Sequence, residues 1–162
     1  MKQLWAPWRL EYIQQADEQE GCVFCRALEA DDESGLVIRR GERAFVLLNK
    51  YPYASGHLMI APSRHEGDFG GLDRDEAADV HQLASSALGA LAEAMGPQGY
   101  NLGWNLGRIA GAGVVDHVHM HVVPRWAGDT NFMPVLADVK VMPEALSETR
   151  RRLAEVWPRS RT

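Results

Sequence analysis

The stretch from His117 to Val123 reads His-Val-His-Met-His-Val-Val and is followed by Pro124. It places three of the six histidines of this 162-residue chain at alternate positions. Because side chains alternate between the two faces of a β-strand, this spacing predicts that the three imidazoles lie in a row on one face. Val118, Met120 and Val122 are then predicted to point into a core. A row of imidazoles suits the binding of a phosphate-sized group, or a division of tasks among the rings.

A glycine-rich loop, residues 105–116, precedes the histidine row. Its glycines, Gly107, Gly111 and Gly113, let backbone N–H groups approach a ligand, and such groups bind phosphate oxygens. A neutral imidazole nitrogen is a competent nucleophile near physiological pH. Since His119 is flanked by two further histidines, it is the candidate nucleophile for attack on phosphorus.

The two cysteines of the chain form a CxxC, Cys22-Val23-Phe24-Cys25. They are too few and too close together for a disulfide framework, so redox or metal chemistry is favoured. Two thiolates together with two histidines would form a closed tetrahedral zinc site. The spacing alone leaves the histidine ligands open: the candidates are His57, His65, His81 and His117, with His81 predicted to be an ordinary residue in the middle of a helix.

The rest of the chain predicts an α+β fold on an antiparallel sheet, because strands and helices are joined by short connections. Strand patterns cover residues 36–40, 44–49, 57–62 and 100–105, and the histidine row is the fifth strand. A capping box at Asp73 and Glu76 predicts the start of a long amphipathic helix that ends near Gly96. A last helix is predicted over roughly Pro143 to Val156.

The length of the chain indicates one domain, residues 1–162. Residues 1–21 are expected to form an N-terminal arm, 22–125 the core, and 126–162 a C-terminal extension with the last helix. The composition, 46% hydrophobic and 24% charged, is that of a globular protein. No apolar run approaches the roughly 20 residues of a membrane span, and the N-terminus lacks the apolar core of a secretory signal, so the predicted compartment is the cytoplasm.

The net charge of −5 argues against nonspecific binding of nucleic acid. It leaves room for a small anionic ligand in a locally basic pocket. Four basic residues lie near the motifs described above, namely Lys50, Arg64, Arg108 and Arg125.

These motifs together resemble the histidine triad family, whose motif is His-φ-His-φ-His-φ-φ with φ apolar. Residues 117–123 fit it without a mismatch, and the likeness extends over most of the chain. The resemblance implies a five-stranded antiparallel sheet with two helices, paired in a homodimer with a continuous ten-stranded sheet. It also implies an enzyme, a nucleotide hydrolase or transferase that acts at the α-phosphate of a nucleotide.

The resemblance implies a role for individual residues. His119 corresponds to the nucleophile that forms a nucleotidyl-histidine, and His121 to a phosphate ligand that also helps the leaving group. Asn105 corresponds to a phosphate contact, and Asn49 to the residue that holds the ribose hydroxyls. The predicted catalytic residues are therefore His119 and His121, and the predicted substrate contacts are Asn49, Asn105, Gly111, Gly113, His121 and Trp126.

Zinc-containing members of the family use a CxxC, a histidine in the loop after the third strand, and the first triad histidine as ligands. The resemblance therefore implies that Cys22, Cys25, His65 and His117 bind zinc. This metal would be structural and would orient the strand that carries His119.

Two further stretches, residues 5–9 and 124–132, resemble the branch of the family that acts on diadenosine polyphosphates. That branch includes hydrolases and phosphorylases of diadenosine tetraphosphate. Trp126 is a candidate for stacking on an adenine, with burial in an interface as the alternative. Many members carry Ser or Thr just before the first histidine, but here residues 111–116 offer only backbone donors. The acceptor, water or phosphate, is therefore left open.

The leading hypothesis is an enzyme that cleaves a dinucleoside polyphosphate, with AMP-like recognition and a covalent intermediate on His119. A nucleoside phosphoramidase and a nucleotidylyl transferase are alternatives within the same family. A regulator that holds AMP without turnover, and a zinc-stabilised interaction module, are alternatives from other classes. The expected partners are a small nucleotide and a second copy of the chain, with no nucleic acid and no membrane.

Overall fold

The computed structural model describes residues 21–129 and 144–158. The strands in this part of the chain are β1 (Val37–Arg40), β2 (Ala44–Leu48), β3 (Leu58–Pro62), β4 (Gly99–Trp104) and β5 (Met120–Arg125). The helices are α1 (Val23–Glu29), α2 (Arg74–Met95) and α3 (Leu146–Glu155), and short 3₁₀ turns span Phe69–Gly71 and Arg108–Ala110.

The five strands form one sheet in the order β1-β2-β3-β5-β4, and every neighbouring pair is antiparallel. This confirms the predicted α+β fold on a five-stranded antiparallel sheet. Strand β5 lies inside the sheet, where His121 is opposite Met59 of β3 and Gly103 of β4. Strand β4 is an edge strand of the sheet.

The sheet has a buried face on each side, which explains why all five residues of β2 are buried. On one face, Val46, Ile60 and Val122 pack against α2 and α3. On the other face, Phe45 and Met59 pack in a smaller core against α1. The triad histidines belong to this second face, because His117 and His119 contact the ring of Phe24 in α1 at centroid distances of 5.1 and 4.7 Å.

Helix α2 begins and ends where the sequence predicts. The carboxylate of Asp73 accepts a hydrogen bond from the Glu76 N–H at 2.8 Å, and the Glu76 carboxylate accepts one from the Asp73 N–H at 3.0 Å. This reciprocal pair is a capping box. Gly96 ends the helix in the left-handed conformation, with φ of 55°.

The family resemblance implies two helices, whereas the described residues form three α-helices. The additional helix is α1, which has seven residues and no side-chain hydrogen bond at its N-cap, Cys22. A helix this short is not stable alone in water. It is held by Phe24 and Ala27, one turn apart, which are buried in the smaller core. Local sequence patterns miss α1 because its stability comes from packing.

Two boundaries differ from the prediction by more than one residue. Regular strand pairing in β5 begins at Met120, so His117 and His119 precede the strand. The last helix begins at Leu146, and the predicted start at Pro143 lies outside the described residues. Most of the predicted N-terminal arm and residues 130–132 also lie outside them, so the division into arm, core and extension stays a prediction.

No helix within residues 21–129 and 144–158 is long and apolar enough to cross a membrane. The cytoplasmic location stays a prediction from the sequence.

Arg64 ties the loop after β3 to the start of α2. Its Nε and Nη2 donate to the two carboxylate oxygens of Glu76, each at 2.9 Å, and its Nη1 donates to Glu66 at 2.7 Å. The hydrogen bonds from Arg64 hold the pKa of the Glu76 carboxyl below its usual range. Arg64, one of the basic residues that the sequence places near the motifs, is therefore paired with carboxylates.

We expect Glu76→Gln to lower the free energy of unfolding at pH 7 by about 1 kcal/mol, because charged hydrogen bonds become neutral. A carboxyl whose pKa is lower in the folded protein stabilises the fold above its unfolded pKa, and this contribution is lost as the pH falls through the folded pKa. The difference between wild type and variant should therefore shrink below about pH 4. Urea unfolding at several pH values measures it.

Asp75→Asn is the control, since it removes a carboxylate from an exposed position in the same helical turn. An equal effect of both variants across the pH range would contradict the assigned role of Glu76.

Candidate active site and metal cluster

A cavity of about 710 Å³ lies on the α1 face of the sheet, beside the triad. His119 and His121 are in its wall. Three predicted substrate contacts, Asn49, Gly111 and Gly113, line it as well.

The other two predicted substrate contacts lie elsewhere. Asn105 lines a second, smaller cavity together with His121. Trp126 lies just beyond the end of β5, where its backbone N–H donates to the Asp129 carboxylate at 3.3 Å. Trp126 is not among the described residues that line either cavity, so its role in binding stays a prediction.

His119 presents a lone pair to the large cavity. Its Nδ1 lies 2.9 Å from the carbonyl oxygen of His117. Since a carbonyl only accepts, Nδ1 carries the proton and donates it, which leaves Nε2 as the unprotonated nitrogen. Burial lowers the pKa of His119 below its usual value. The ring is therefore neutral at physiological pH, with a nucleophilic nitrogen at Nε2.

His121 has the opposite tautomer to His119, because its Nδ1 accepts a hydrogen bond from His57. The Tyr53 backbone N–H donates to His57 Nδ1 at 3.0 Å, so the proton of a neutral His57 is on Nε2. This Nε2 lies 2.9 Å from His121 Nδ1. His121 Nδ1 therefore accepts, and its own proton is on Nε2. The Asn105 side-chain nitrogen, 3.4 Å from this Nε2, is itself a donor and does not accept that proton. The site thus pairs a nitrogen lone pair on His119 with an N–H donor on His121.

His57 is the site residue that sequence reasoning assigned least well. The sequence treats it only as one of four possible metal ligands, whereas the structure buries it completely and hydrogen-bonds it to His121. A histidine directly before the apolar strand β3 was the available signal. The pairing of β3 with β5 brings His57 and His121 together, and the sequence does not reveal that pairing.

The four predicted metal ligands lie together. The ligand atoms of Cys22, Cys25, His65 and His117 are all within 4.8 Å of one another. Cys22 Sγ is 3.2 Å from His117 Nδ1, and Cys25 Sγ is 3.3 Å from His65 Nδ1. A tetrahedral zinc ion with ordinary bond lengths separates its ligand atoms by about 3.3 to 3.8 Å. The cluster could therefore hold a metal ion. His81 lies apart from it, exposed on α2.

The protonation of the cysteines depends on whether a cation is bound. Burial and the neighbouring Cys22 raise the pKa of the Cys25 thiol to about 11. Thiolates bind metals and thiols do not, so a bound cation would be needed to keep both sulfurs charged. His117 Nε2 donates to the Pro62 carbonyl at 2.9 Å, which leaves Nδ1 free of a proton and directed at Cys22.

The HIT domain family model matches residues 31–128, and the chain therefore belongs to the HIT (histidine triad) family. It is 36% identical to an AP-4-A phosphorylase from Mycobacterium tuberculosis, over 98% of this chain and 86% of that protein. This confirms the family that the sequence motifs indicate.

Solved structures agree with the fold. A Zn-bound histidine triad family protein from Mycobacterium smegmatis superposes with a TM-score of 0.65 at 25% identity, over 85% of this chain and 93% of that chain. A hypothetical histidine triad nucleotide-binding protein from Sulfolobus tokodaii superposes with a TM-score of 0.67 at 26% identity, over 83% of this chain and 91% of that chain.

We expect Cys25→Ser to lower the affinity for a divalent metal ion more than about 10-fold, because a neutral hydroxyl replaces a negatively charged thiolate ligand. Since metal binding stabilises the folded chain, a chelator should lower the Tm of wild type more than that of the variant. Elemental analysis of unchelated protein and thermal unfolding with and without chelator measure both effects. His81→Ala, which removes a histidine outside the cluster, should behave as wild type. A wild-type protein that holds no metal would contradict the prediction.

Proposed function

We propose that the protein cleaves a dinucleoside polyphosphate, of the diadenosine tetraphosphate kind, at the α-phosphate, and that inorganic phosphate receives the nucleotidyl group. The observation that carries this proposal is the pair of opposite tautomers, a lone pair on His119 and an N–H on His121. The similarity to an AP-4-A phosphorylase over nearly the whole chain supports the substrate class.

In the first step, the lone pair of His119 Nε2 attacks the α-phosphorus. The bond from this phosphorus to the bridging oxygen breaks, and the electron pair leaves with the departing polyphosphate. The product is a nucleotidyl-histidine whose ring carries a positive charge, and its Nδ1–H still donates to the His117 carbonyl. His121 stabilises the developing negative charge through its Nε2–H. No proton has to be transferred, because a polyphosphate leaves as an anion.

In the second step, an anionic oxygen of inorganic phosphate attacks the same phosphorus. A new phosphoanhydride bond forms, the N–P bond breaks, and the electron pair returns to His119. This step also balances without a proton transfer and releases a nucleoside diphosphate. Water in the same place would have to lose a proton to a base. His121 is a poor base, since Nε2 already carries a proton and Nδ1 accepts from His57. We therefore infer that phosphate is the acceptor.

The nucleoside half of the substrate is assigned to the large cavity. Asn49 is in its wall, and its side-chain oxygen already accepts from the Tyr51 N–H at 2.9 Å. The side-chain nitrogen is directed at His57 Nδ1, 3.4 Å away, and can reach a ribose hydroxyl only by leaving that long contact. Gly111 and Gly113 line the same wall. The Gly111 N–H donates to the Arg108 carbonyl at 2.9 Å, so the Gly113 N–H is the backbone donor that we assign to the α-phosphate.

Zinc is the metal that we propose for the cysteine–histidine cluster. Two thiolates and two imidazoles in a tetrahedral arrangement form the donor set that zinc prefers. The metal would restrain His117, whose carbonyl fixes the tautomer of His119. It would supply structural support and no part of the reaction.

A homodimer is proposed through β4, the edge strand. An exposed edge has unpaired backbone groups along one side, and antiparallel pairing with the same strand of a second copy would satisfy them. Three residues in the middle of this strand, Asn101, Leu102 and Gly103, are exposed in the single chain. Pairing of this kind would give the continuous ten-stranded sheet implied by the family resemblance.

Incubation with diadenosine tetraphosphate should yield ATP and ADP when inorganic phosphate is present. Because His121 is a poor base for water, turnover to ATP and AMP without phosphate should be slower by about 100-fold or more. Chromatography of the products measures the ratio, and His119→Ala, which lacks the nucleophile, is the negative control. Tight binding of AMP without turnover of any dinucleotide would overturn the enzymatic proposal.

The tautomer argument predicts that His57→Leu changes which acceptor is used. Without the His57 donor, the His121 ring can carry its proton on Nδ1. Its Nε2 then has a lone pair and can act as a base for water. We expect a kcat for phosphorolysis lower by about 10- to 100-fold and a larger share of AMP among the products. His57→Gln, whose amide can donate to His121, should keep the product ratio of wild type. The same loss in both variants with no change in ratio would contradict the argument.

A further inference from the structure

A second cavity, of about 380 Å³, adjoins the large one on the other side of His121. We call it the β4 groove. It lies on the α1 face of the sheet, and its lining includes Asn101, Gly103 and Asn105, at and just beyond β4. His121 and Tyr53 line both cavities, whereas His119 lines only the large one. His121 therefore stands between the two spaces.

Gly103 keeps the β4 groove open next to His121. The two residues are directly opposite each other on β4 and β5, so a side chain at position 103 would project on the same face as the imidazole. A Cβ built there meets no atom of the described residues within 4 Å. The backbone is not in the positive-φ region either. Neither backbone conformation nor packing within the described chain explains a glycine, and strand glycines occur where a ligand or another backbone approaches closely.

The groove has polar side chains along β4 and apolar ones as well, among them Val123, which lies between His121 and Arg125 on β5. Asn101 and Asn105 lie two residues to either side of Gly103, on the same face. Arg125 is four residues beyond His121 on β5, about 14 Å farther along the strand. Its Nη1 donates to the Asn101 side-chain oxygen at 3.0 Å, and its Nε and Nη2 donate to the Asp129 carboxylate. From the N–H donor of His121 the groove thus runs past the Asn101 amide to the Arg125 guanidinium, and Asn105 lies at the opposite end.

The geometry of displacement at phosphorus indicates which part of the substrate the β4 groove would bind. In displacement at phosphorus, the leaving oxygen lies opposite the attacking atom. If His119 attacks from the large cavity, the leaving group departs on the side of His121. We propose that the β4 groove binds the leaving nucleoside polyphosphate, with its first phosphate beside His121 and Gly103 and the remainder extending towards Arg125. This inference rests on the proposed function and assigns the leaving-group side of the same site.

Gly103→Val tests the proposal, because it fills the groove with a side chain that strands accommodate well. We expect kcat/KM for diadenosine tetraphosphate to fall by at least about 10-fold. The dissociation constant of AMP, which needs only the large cavity, should stay within about 2-fold of wild type. Gly99→Val is the comparison variant, since Gly99 lies on the same face of the same strand with similarly open space. It is opposite Arg125 at the far end of the groove, four residues from Gly103, so it should lower kcat/KM less than Gly103→Val.

Asn101→Asp provides a second test that does not depend on filling space. It preserves the shape of the side chain and the oxygen that accepts from Arg125. The added negative charge should raise the KM for diadenosine tetraphosphate, more strongly at low salt, and leave AMP binding unchanged.

The outcomes separate the two proposals. If wild type does not cleave the dinucleotide, the proposed function fails. If wild type cleaves it and both variants match wild type, the assignment of the groove is overturned. Sedimentation measures the oligomeric state of each variant. A change of oligomeric state in Gly103→Val would mean that Gly103 lies in a contact between subunits. That result would also overturn the assignment of the groove.

Discussion

Backbone groups decide which nitrogen carries a proton in His117, His119 and His57, and His57 in turn decides it in His121. The His117 carbonyl accepts from His119, the Pro62 carbonyl accepts from His117, and the Tyr53 N–H donates to His57. A peptide group cannot exchange its donor and acceptor roles, so these three bonds leave each ring one defined tautomer. The lone pair of His119, the N–H donor of His121 and the His117 nitrogen that faces the cysteines all follow from this constraint.

The CxxC, the triad and the smaller core depend on one another. Phe24 lies between the two cysteines in sequence, and its ring contacts His117 and His119. The same helix therefore places two sulfurs beside His117 and an apolar surface beneath the nucleophile. His117 belongs to both parts of the site, since its ring faces the cysteines and its carbonyl orients His119. We therefore expect a disturbance of the cysteine–histidine cluster to reach His119, the proposed nucleophile, through His117.

Some parts of the molecule follow from neighbouring residues alone. The capping box at Asp73 and Glu76 and the left-handed Gly96 bound α2, and each involves groups only a few residues apart. Helix α1 was missed because Phe24 and Ala27 stabilise it by packing against residues distant in sequence. The four metal ligands were predicted from a family resemblance, and the spacing of the histidines alone left several sets open.

The alternation of histidine with apolar residues is a property of adjacent positions, and it was enough to predict the face of the sheet that carries the triad. The proton positions depend on groups far away in the chain. His57 is 64 residues from His121, and Pro62 is 55 residues from His117. Pairing of β3 with β5 brings these groups together. The order of the strands in the sheet therefore decided which ring nitrogens carry protons. A tautomer is set by the hydrogen-bond partner of the ring, and these partners are brought close by the tertiary structure and are not adjacent in sequence.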